Sequence, residues 1–328
     1  MRRRTFIAGV GSSWLWPRLT RAQDRDRQRH IGALMNFRKE DPEGQARVAA
    51  FLDGLRKLGW TEGDNLFAEI LWAGDDQDLS RKYAQDLVDA RPEAIMASAL
   101  ASVAALKRLT QTIPIIFANL IDPIGSGMVS SMSHPGGNIT GFTAFDYSLA
   151  GKWLEFLQEF APGLTTVAVV EDPSSLSGIG QFAAIQAFGA SSKLDFSVID
   201  PRDRNAIAAA LAVLSRQPNP GVVVTANSSV VTQRDLLIPL AIRYRLPAVY
   251  PFPYYAHSGG LMAFGPDTRG VYSRAATYVD KVLRGAHPQD LPVQAPDRFQ
   301  LVVNVRTAKT MSLDVPSSLL ARADEVIE

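Results

Sequence analysis

Five short polar side chains stand just beyond predicted β-strands, where they could together hold a small molecule. They are Asn36, Ser98, Asp122, Thr143 and Asn227. Hydroxyls, amides and helix N-termini can bind a carboxylate, while an acidic side chain can bind an ammonium group. Each residue alone could equally be a helix cap or a turn residue. Their shared position favours a binding site, with Asp122 as the first candidate partner for a cationic group.

Aromatic side chains form a second candidate cluster in a later loop. The cluster contains Tyr250, Phe252, Tyr254, Tyr255 and His257, and Trp72 follows another predicted strand. Such rings could sandwich a flat apolar part of a ligand. Alternatively, Tyr250 and Phe252 belong to the core and the other residues line an interface between lobes.

Catalytic and metal-binding motifs are missing from the sequence. The chain contains no HExxH, GxSxG, GxxxxGK[ST] or CxxC, and its four histidines, which include His30, His134 and His287, show no metal-ligand spacing. Residues 178–183 match the GxGxx[GA] dinucleotide pattern, but residues 171–177 separate them from the preceding strand, which that pattern must follow directly. We therefore interpret these glycines as the start of a helix, and we expect no catalytic residue, metal or cofactor.

Composition narrows the class of protein further. The 328 residues include no cysteine, 34 basic and 33 acidic side chains, and 46% hydrophobic residues. A disulfide scaffold, a disordered chain and a zinc-thiolate protein are excluded, and near-neutrality argues against a nucleic-acid partner. The length suits two domains of about 150 residues each.

The N-terminus is typical of an export signal. A basic start, a short apolar run over residues 6–16 and a small residue at Ala22 predict a signal peptide over residues 1–22. Arg3 and Arg4, followed by Thr5-Phe6-Ile7, resemble the twin-arginine pattern. A Sec signal is the alternative, and either route predicts a periplasmic protein.

The rest of the chain alternates predicted strands and helices. An apolar strand ending at Met35 precedes Asp41-Pro42, a helix start, and Val48, Phe51 and Leu55 then recur at helical spacing. The alternation continues to residue 142 and restarts at residues 165–170. This pattern predicts an α/β fold with two doubly wound parallel-sheet lobes, which would face each other across a central cleft beyond the strand ends.

Seven stretches carry a resemblance to a known family. They are LGWTEG (58–63), IPIIF (113–117), DP (122–123), HPGGNITG (134–141), GGLM with FGP (259–266), RAATYVDKVLRG (274–285) and PSSLLARADEVI (316–327). With them the chain resembles the periplasmic substrate-binding proteins of ABC importers, whose members include tryptophan and tyrosine binders. The resemblance covers nearly all of the chain after the signal.

The resemblance implies a type I periplasmic-binding fold, in which three crossings join two lobes. We expect crossings near Gly141, Phe252 and Asn304. The first lobe would then comprise residues 29–142 plus about 254–303, and the second residues 143–253 plus about 304–328.

The resemblance also implies where a ligand lies. The implied contacts are Asn36, Ser98, Ala99, Asp122, Asn227 and Tyr254. Two departures from the family pattern bear on the ligand, because Ala97-Ser-Ala-Leu100 replaces a Gly-Gly-Thr-Pro-like turn and Asn227 stands where many members carry an aspartate. One ammonium partner is thereby lost, so a neutral or anionic aromatic compound is an alternative to an amino acid.

The function that follows is capture of a small molecule for an ABC permease in the inner membrane. The resemblance implies a monomer that needs no cofactor. A sensory ligand-binding protein for a receptor and an exported α/β enzyme are the alternatives.

Overall fold

Two parallel-rich β-sheets organise the protein in a computed structural model that describes residues 28–328. The first sheet has the strand order β2-β1-β3-β4-β5, and all its neighbours are parallel. Its strands are β1 (Arg29–Met35), β2 (Leu66–Trp72), β3 (Ala94–Ser98), β4 (Ile115–Leu120) and β5 (Ile139–Thr143). The signal peptide predicted for residues 1–22 lies outside the described residues.

The second sheet has seven strands in the order β12-β11-β10-β9-β8-β6-β7. Its strands are β6 (Thr166–Val170), β7 (Asp195–Ile199), β8 (Pro220–Val224), β9 (Ala248–Tyr250), β10 (Met262–Pro266), β11 (Phe299–Asn304) and β12 (Glu325–Ile327). Only the β10–β11 pair is antiparallel. The predicted two-lobed α/β fold class is confirmed.

Helices cover both sheets. They are α1 (Pro42–Lys57), α2 (Gln77–Ala90), α3 (Ala99–Lys107), α4 (Leu149–Phe160), α5 (Leu176–Gly189), α6 (Arg204–Leu214), α7 (Ser228–Val231), α8 (Arg234–Arg243), α9 (Pro253–His257), α10 (Thr268–Leu283), α11 (Val305–Met311) and α12 (Ser317–Arg322). Residues 178–183 lie inside α5, as the interpretation of their glycines predicted. No helix in residues 28–328 is long and apolar enough to span a bilayer.

Local sequence explains why α1 begins and which face it buries. The Asp41 carboxylate accepts hydrogen bonds from the backbone amides of Glu43 and Gly44, while Pro42 occupies the first helical turn. Val48, Phe51 and Leu55 are buried against the first sheet and α10. The predicted apolar stripe therefore anchors the helix that follows the first strand.

The chain passes between the two sheets at three places. The first crossing follows β5 at Thr143, and the second lies between β10 and α10. The third lies between Gln294, which pairs with Phe142 of the first sheet, and the start of β11. Helix α10 packs in the core of the first sheet. The first lobe is therefore β1–β5 with α1–α3 and α10, and the second lobe holds the other named strands and helices.

The predicted lobe boundaries differ from this arrangement after residue 253. Residues 254–266 and 299–303 were expected in the first lobe, but α9, β10 and β11 pack in the second. The Trp153 indole in α4 donates to the Phe264 carbonyl at 2.7 Å, which ties β10 to the second core. Sequence pattern identifies a strand, but the sheet that a strand joins depends on long-range pairing.

Candidate functional site

A cleft of about 410 Å³ lies between the lobes, at the carboxyl ends of their strands. From the first lobe it is lined by Asn36 after β1, by residues at the start of α2 and α3, and by Asn119 and Ile121 at the end of β4. From the second lobe it is lined by residues 172–177 after β6, residues 226–231 after β8, and Phe252 after β9. Parallel strands thus deliver loops from both lobes to one space.

A chain of hydrogen bonds crosses from one lobe to the other at Asn36. The Tyr272 hydroxyl contacts Ser98 Oγ, which donates to the Asn36 side-chain oxygen. Asn36 Nδ2 then donates to Ser228 Oγ at 3.1 Å. Asn36 lines the cleft, whereas Ser98 is fully buried behind it. The structure therefore brings these two predicted residues together, with Ser98 as a support for Asn36.

Ala99 and Asn227 also line the cleft. Their roles in the structure differ from the side-chain contacts with a ligand that were predicted for them. Asn227 caps α7, because its Oδ1 accepts from the Val230 amide at 2.9 Å. Ala99 begins α3 at a backbone φ of 61°. Ala99 therefore presents its backbone, at the start of α3, to the cleft.

Asp122 and Thr143 do not line the cleft. The Asp122 carboxylate accepts from the Gly125 amide at 2.9 Å and so closes a turn, which is the alternative role open to an aspartate before proline. Thr143 is buried at the first crossing, where its amide donates to the Gln294 carbonyl at 2.9 Å. The structure therefore places both residues outside the cleft, with Asp122 in a turn and Thr143 at the crossing.

Of the aromatic cluster, Phe252 alone lines the cleft. Tyr254 packs behind it with ring centroids 5.7 Å apart, and burial raises the pKa of its phenol to about 12. Tyr250 and Tyr255 stack on each other in the second core, and Trp72 lies outside the cleft. His257 is half exposed beside Glu325, at 3.0 Å. Tyr250 and Phe252 are both buried in the second core, as the core alternative states, and Tyr255, which that alternative assigned to an interface, is buried there too. Phe252 is the one ring of the cluster that also faces the cleft.

Arg47 is a cleft residue that sequence reasoning missed. Its side chain is only 1% exposed, and Nε donates to Glu43 at 3.0 Å. Its guanidinium carbon lies 4.7 Å from the ring centroid of Phe37 and between 5.3 and 5.8 Å from those of Phe252, Tyr254 and Tyr272. Nη2 is buried and has no hydrogen-bond partner among the described residues, 28–328.

The charge of Arg47 is secure despite this burial. Burial is the largest single effect and disfavours the cation, but the Glu43 carboxylate and the phenols of Tyr272 and Tyr254 together outweigh it and raise the pKa of Arg47 above its ordinary value. A sequence signal for this residue existed, because Glu43 and Arg47 occupy the same helix face as Phe51 at spacings of four. A pair of opposite charges on the apolar face of a predicted helix indicates a buried ion pair.

Asp172 is the second missed residue. Its Oδ1 accepts from the amide and hydroxyl of Ser174, at 2.9 and 2.7 Å, and its Oδ2 accepts from Ser229 Oγ at 2.8 Å. It stands directly beyond β6, so the rule that found Asn36 would have found it too. The loops after β6 and β8 are held together through this carboxylate.

The charged residues that line the cleft are Arg47, Arg81, Arg108 and Asp172. Their formal charge is positive in sum, and the acid among them already accepts three hydrogen bonds. Neutral polar side chains such as Asn36, Asn119 and Ser228 line much of the remaining wall. Its apolar part comes chiefly from Leu100, Ile121, Leu176, Val231 and Phe252. Within residues 28–328 no group of three histidines and acids is placed to hold a metal ion.

Two lobes, three crossings and a polar cleft between strand ends define a class of ligand-binding proteins. The chain also matches the ABC transporter substrate binding protein family over residues 39–327, and it belongs to that family. The resemblance noted in the sequence is thereby confirmed. Because the family consists of solute-binding proteins, the prediction of a binding protein rather than an enzyme is confirmed as well.

Several known proteins are similar to the chain in sequence or in fold. The chain is 24% identical to a tyrosine-binding protein from Clostridioides difficile (strain R20291) over 291 residues, which is 88% of this chain and 83% of that protein. A solved ABC domain in complex with L-Trp from Streptococcus pneumonia matches with a TM-score of 0.83 and 22% identity, over 92% of this chain and 100% of that one. A conserved domain protein from Vibrio cholerae gives a TM-score of 0.84 at 23% identity, with the same coverage.

Proposed function

We propose that this protein is the periplasmic component of an ABC importer, which captures an amino acid or an aromatic compound in the cleft and delivers it to a permease. The cleft itself carries the proposal. Its volume, about 410 Å³, lies within the range of small-molecule sites, and both lobes contribute to its walls. A ligand bound there would contact both lobes and favour their closed arrangement.

The polar and apolar parts of the cleft suit a ligand with a polar end and an apolar body. Asn119 lines the cleft, and its side-chain oxygen is buried without a partner, so it can accept a hydrogen bond from a ligand. Phe252 and Leu176 offer apolar surface to the rest of the molecule. Leu176 is 62% exposed, so its side chain is open to contact with a ligand in the cleft.

Thermal unfolding against a ligand panel tests the proposal. The protein lacking residues 1–22 is freed of bound molecules by unfolding and refolding, then heated with amino acids, aromatic acids and their neutral analogues. A ligand at one hundred times its Kd should add about 2.7 kcal/mol of stability, a rise of about 4 °C in Tm.

A pair of alanine variants locates the binding site. Ala101→Trp places a large ring in the cleft at the start of α3, whereas Ala209→Trp makes the same change on α6 away from it; both alanines are exposed. The first should abolish the ligand-induced rise in Tm and the second should preserve it. Equal protection of both variants would place the ligand elsewhere.

Export and delivery require separate tests. If the twin-arginine route is used, Arg3→Lys with Arg4→Lys should retain the precursor in the cytoplasm, and normal export would indicate Sec. We expect a monomer that stimulates ATP hydrolysis by its reconstituted permease only when ligand is bound. No stimulation would favour the sensory alternative.

A further inference from the structure

We infer that the cleft selects an organic acid without an α-ammonium group, and that Arg47 and the start of α3 bind its carboxylate. This inference deepens the proposed function and rests on it. It specifies the charge of the ligand from two groups of hydrogen-bond donors in the first lobe that have no partner among the described residues.

The first contact is the buried guanidinium of Arg47. Glu43 occupies its Nε, and the rings of Phe37, Phe252, Tyr254 and Tyr272 surround it, but Nη2 has no partner. Glu43 is itself shared, because it also accepts from Thr268 Oγ1 and from Arg269, both at 3.1 Å. The pair therefore leaves an unmet donor in a side chain that lines the cleft. An unmet buried donor is costly, and a ligand oxygen would relieve it.

The second contact is the uncapped start of α3. Ser98 is the N-cap residue, but its hydroxyl is directed to Asn36 and Tyr272 and makes no hydrogen bond to the helix. Ala99, Leu100 and Ala101 form the first turn, and all three line the cleft. The backbone amides of a first turn have no partner within the helix, and they favour an anion.

Tyr272 places these two contacts side by side. Its ring centroid lies 5.5 Å from the Arg47 guanidinium carbon, and its hydroxyl contacts Ser98 at the start of α3. Tyr272 therefore lies between the Arg47 guanidinium and Ser98, the residue that precedes the first turn of α3. A carboxylate has two oxygens and can accept from both.

Among the described residues that line the cleft, no unpaired carboxylate is available to bind an ammonium group. Asp172 is the acid there, on the opposite lobe, and Ser174 and Ser229 already donate to its oxygens. Asp122 closes a turn outside the cleft, and Asn227 brings an amide where an acid would be needed. An α-ammonium group would also lie near Arg47, which repels it.

Four ligands of one shape test the inference on the unaltered protein. They are 3-phenylpropionate, its neutral amide, L-phenylalanine and phenethylamine, measured by calorimetric titration at pH 7. We expect the acid to bind about 10-fold to 100-fold more tightly than the amide, the scale of a charge-assisted hydrogen bond. L-phenylalanine should bind more weakly than the acid, and phenethylamine most weakly.

Arg47→Lys then tests the residue, because it keeps the charge but removes the planar fork of donors. It should weaken 3-phenylpropionate about 10-fold and leave the amide within about 2-fold. Should this variant not fold, Arg47→Met with Glu43→Gln removes the buried pair together and should abolish the preference for the acid. Equal weakening of acid and amide would overturn the assignment of Arg47.

The outcomes separate the inference from the proposed function. Tighter binding of L-phenylalanine or of phenethylamine than of the acid would overturn the inference while the proposed function stands. If none of the four binds, the wider panel decides: an acid favoured over its own amide supports the inference, and a zwitterionic or neutral ligand overturns it. If no molecule of any class binds, both fail.

Discussion

Glu171 and Asp172 are consecutive acidic residues at the end of β6, and their carboxylates differ in hydrogen bonding. Asp172 accepts hydrogen bonds from Ser174 and Ser229. Glu171 is 3% exposed, and its Oε2 has no partner. Burial, followed by the charges of Asp172 and Asp200, raises the pKa of Glu171 above its ordinary value.

This raised pKa predicts how stability depends on pH. The folded protein holds the Glu171 proton more tightly than the unfolded chain does, so its contribution is present below the unfolded pKa and is lost as pH rises through the folded pKa. Glu171→Gln should therefore stabilise the protein at pH 7 by about 1 kcal/mol, the scale of an unsatisfied buried polar group. Urea unfolding at pH 7 and at pH 4 measures the gain, which should shrink at pH 4.

Glu155→Gln provides a comparison of the opposite sign. Lys152 and Arg322 hold the pKa of the Glu155 carboxyl below its ordinary range, so neutralising it should not stabilise the protein at pH 7. If both variants respond to pH in the same way, burial is not the cause of the Glu171 effect.

At the scale of elements, the close approach of β4 and β5 depends on Gly141. It pairs with Phe117 across the two strands, at a backbone φ of 153°. A Cβ added there would lie 2.1 Å from the Phe117 carbonyl oxygen and 2.6 Å from the Phe117 amide nitrogen. Real Cβ atoms do not approach backbone so closely, so one strand would have to shift.

Gly141→Ala should therefore destabilise the protein by more than about 3 kcal/mol, the range of severe backbone and packing errors. Gly59→Ala is the matched control, because Gly59 has a φ of 95° and nothing within 4 Å of an added Cβ. It should cost about 1 to 2 kcal/mol from backbone conformation alone. Urea unfolding of both variants measures the two costs, and similar losses would show that the contact with Phe117 adds nothing.

At the scale of the whole molecule, side chains join the lobes directly on one side of the cleft. Arg234 of the second lobe donates to Asp41 of the first at 3.0 Å, with side-chain exposures of 8% and 17%. Thr232 donates to Asp75 at 2.8 Å, and Asn36 donates to Ser228 at 3.1 Å. These contacts exist only while the lobes are together, so they favour the closed arrangement.

Asp41→Asn isolates the charge in this contact. Asparagine caps a helix about as well as aspartate, so α1 should keep its start while the ion pair with Arg234 is lost. We expect ligand affinity to fall about 3-fold to 10-fold, because a smaller population is closed before binding. Titration calorimetry measures the affinity, and small-angle scattering of the ligand-free protein should show a larger radius of gyration.

Asp76→Asn is the control for this prediction. Asp76 caps α2 through the Leu79 amide at 2.9 Å in the same way, and within residues 28–328 it makes no hydrogen bond or ion pair with the second lobe. Its affinity should match that of the unaltered protein. A loss as large as that of Asp41→Asn would assign the effect to helix capping.

The sequence by itself determined the α/β class, two lobes and the strand ends where the cleft lies, because these follow from local periodicity and caps. The rule that polar residues beyond strands line a cleft selected Asn36 and Asn227, which line it, and Ser98, which supports Asn36, whereas Ala99 came from the family resemblance. It selected Asp122 wrongly for the cleft, since a short aspartate before proline can satisfy its own turn instead.

Tertiary structure decided the rest. It placed β10 and β11 in the second sheet, because strand pairing is a long-range contact that no local pattern encodes. It also turned the Ser98 hydroxyl away from α3 and buried Arg47 among four rings contributed by both lobes. The inferred carboxylate site forms only where α1, α3 and α10 pack together, so the kind of ligand we infer is a property of the fold.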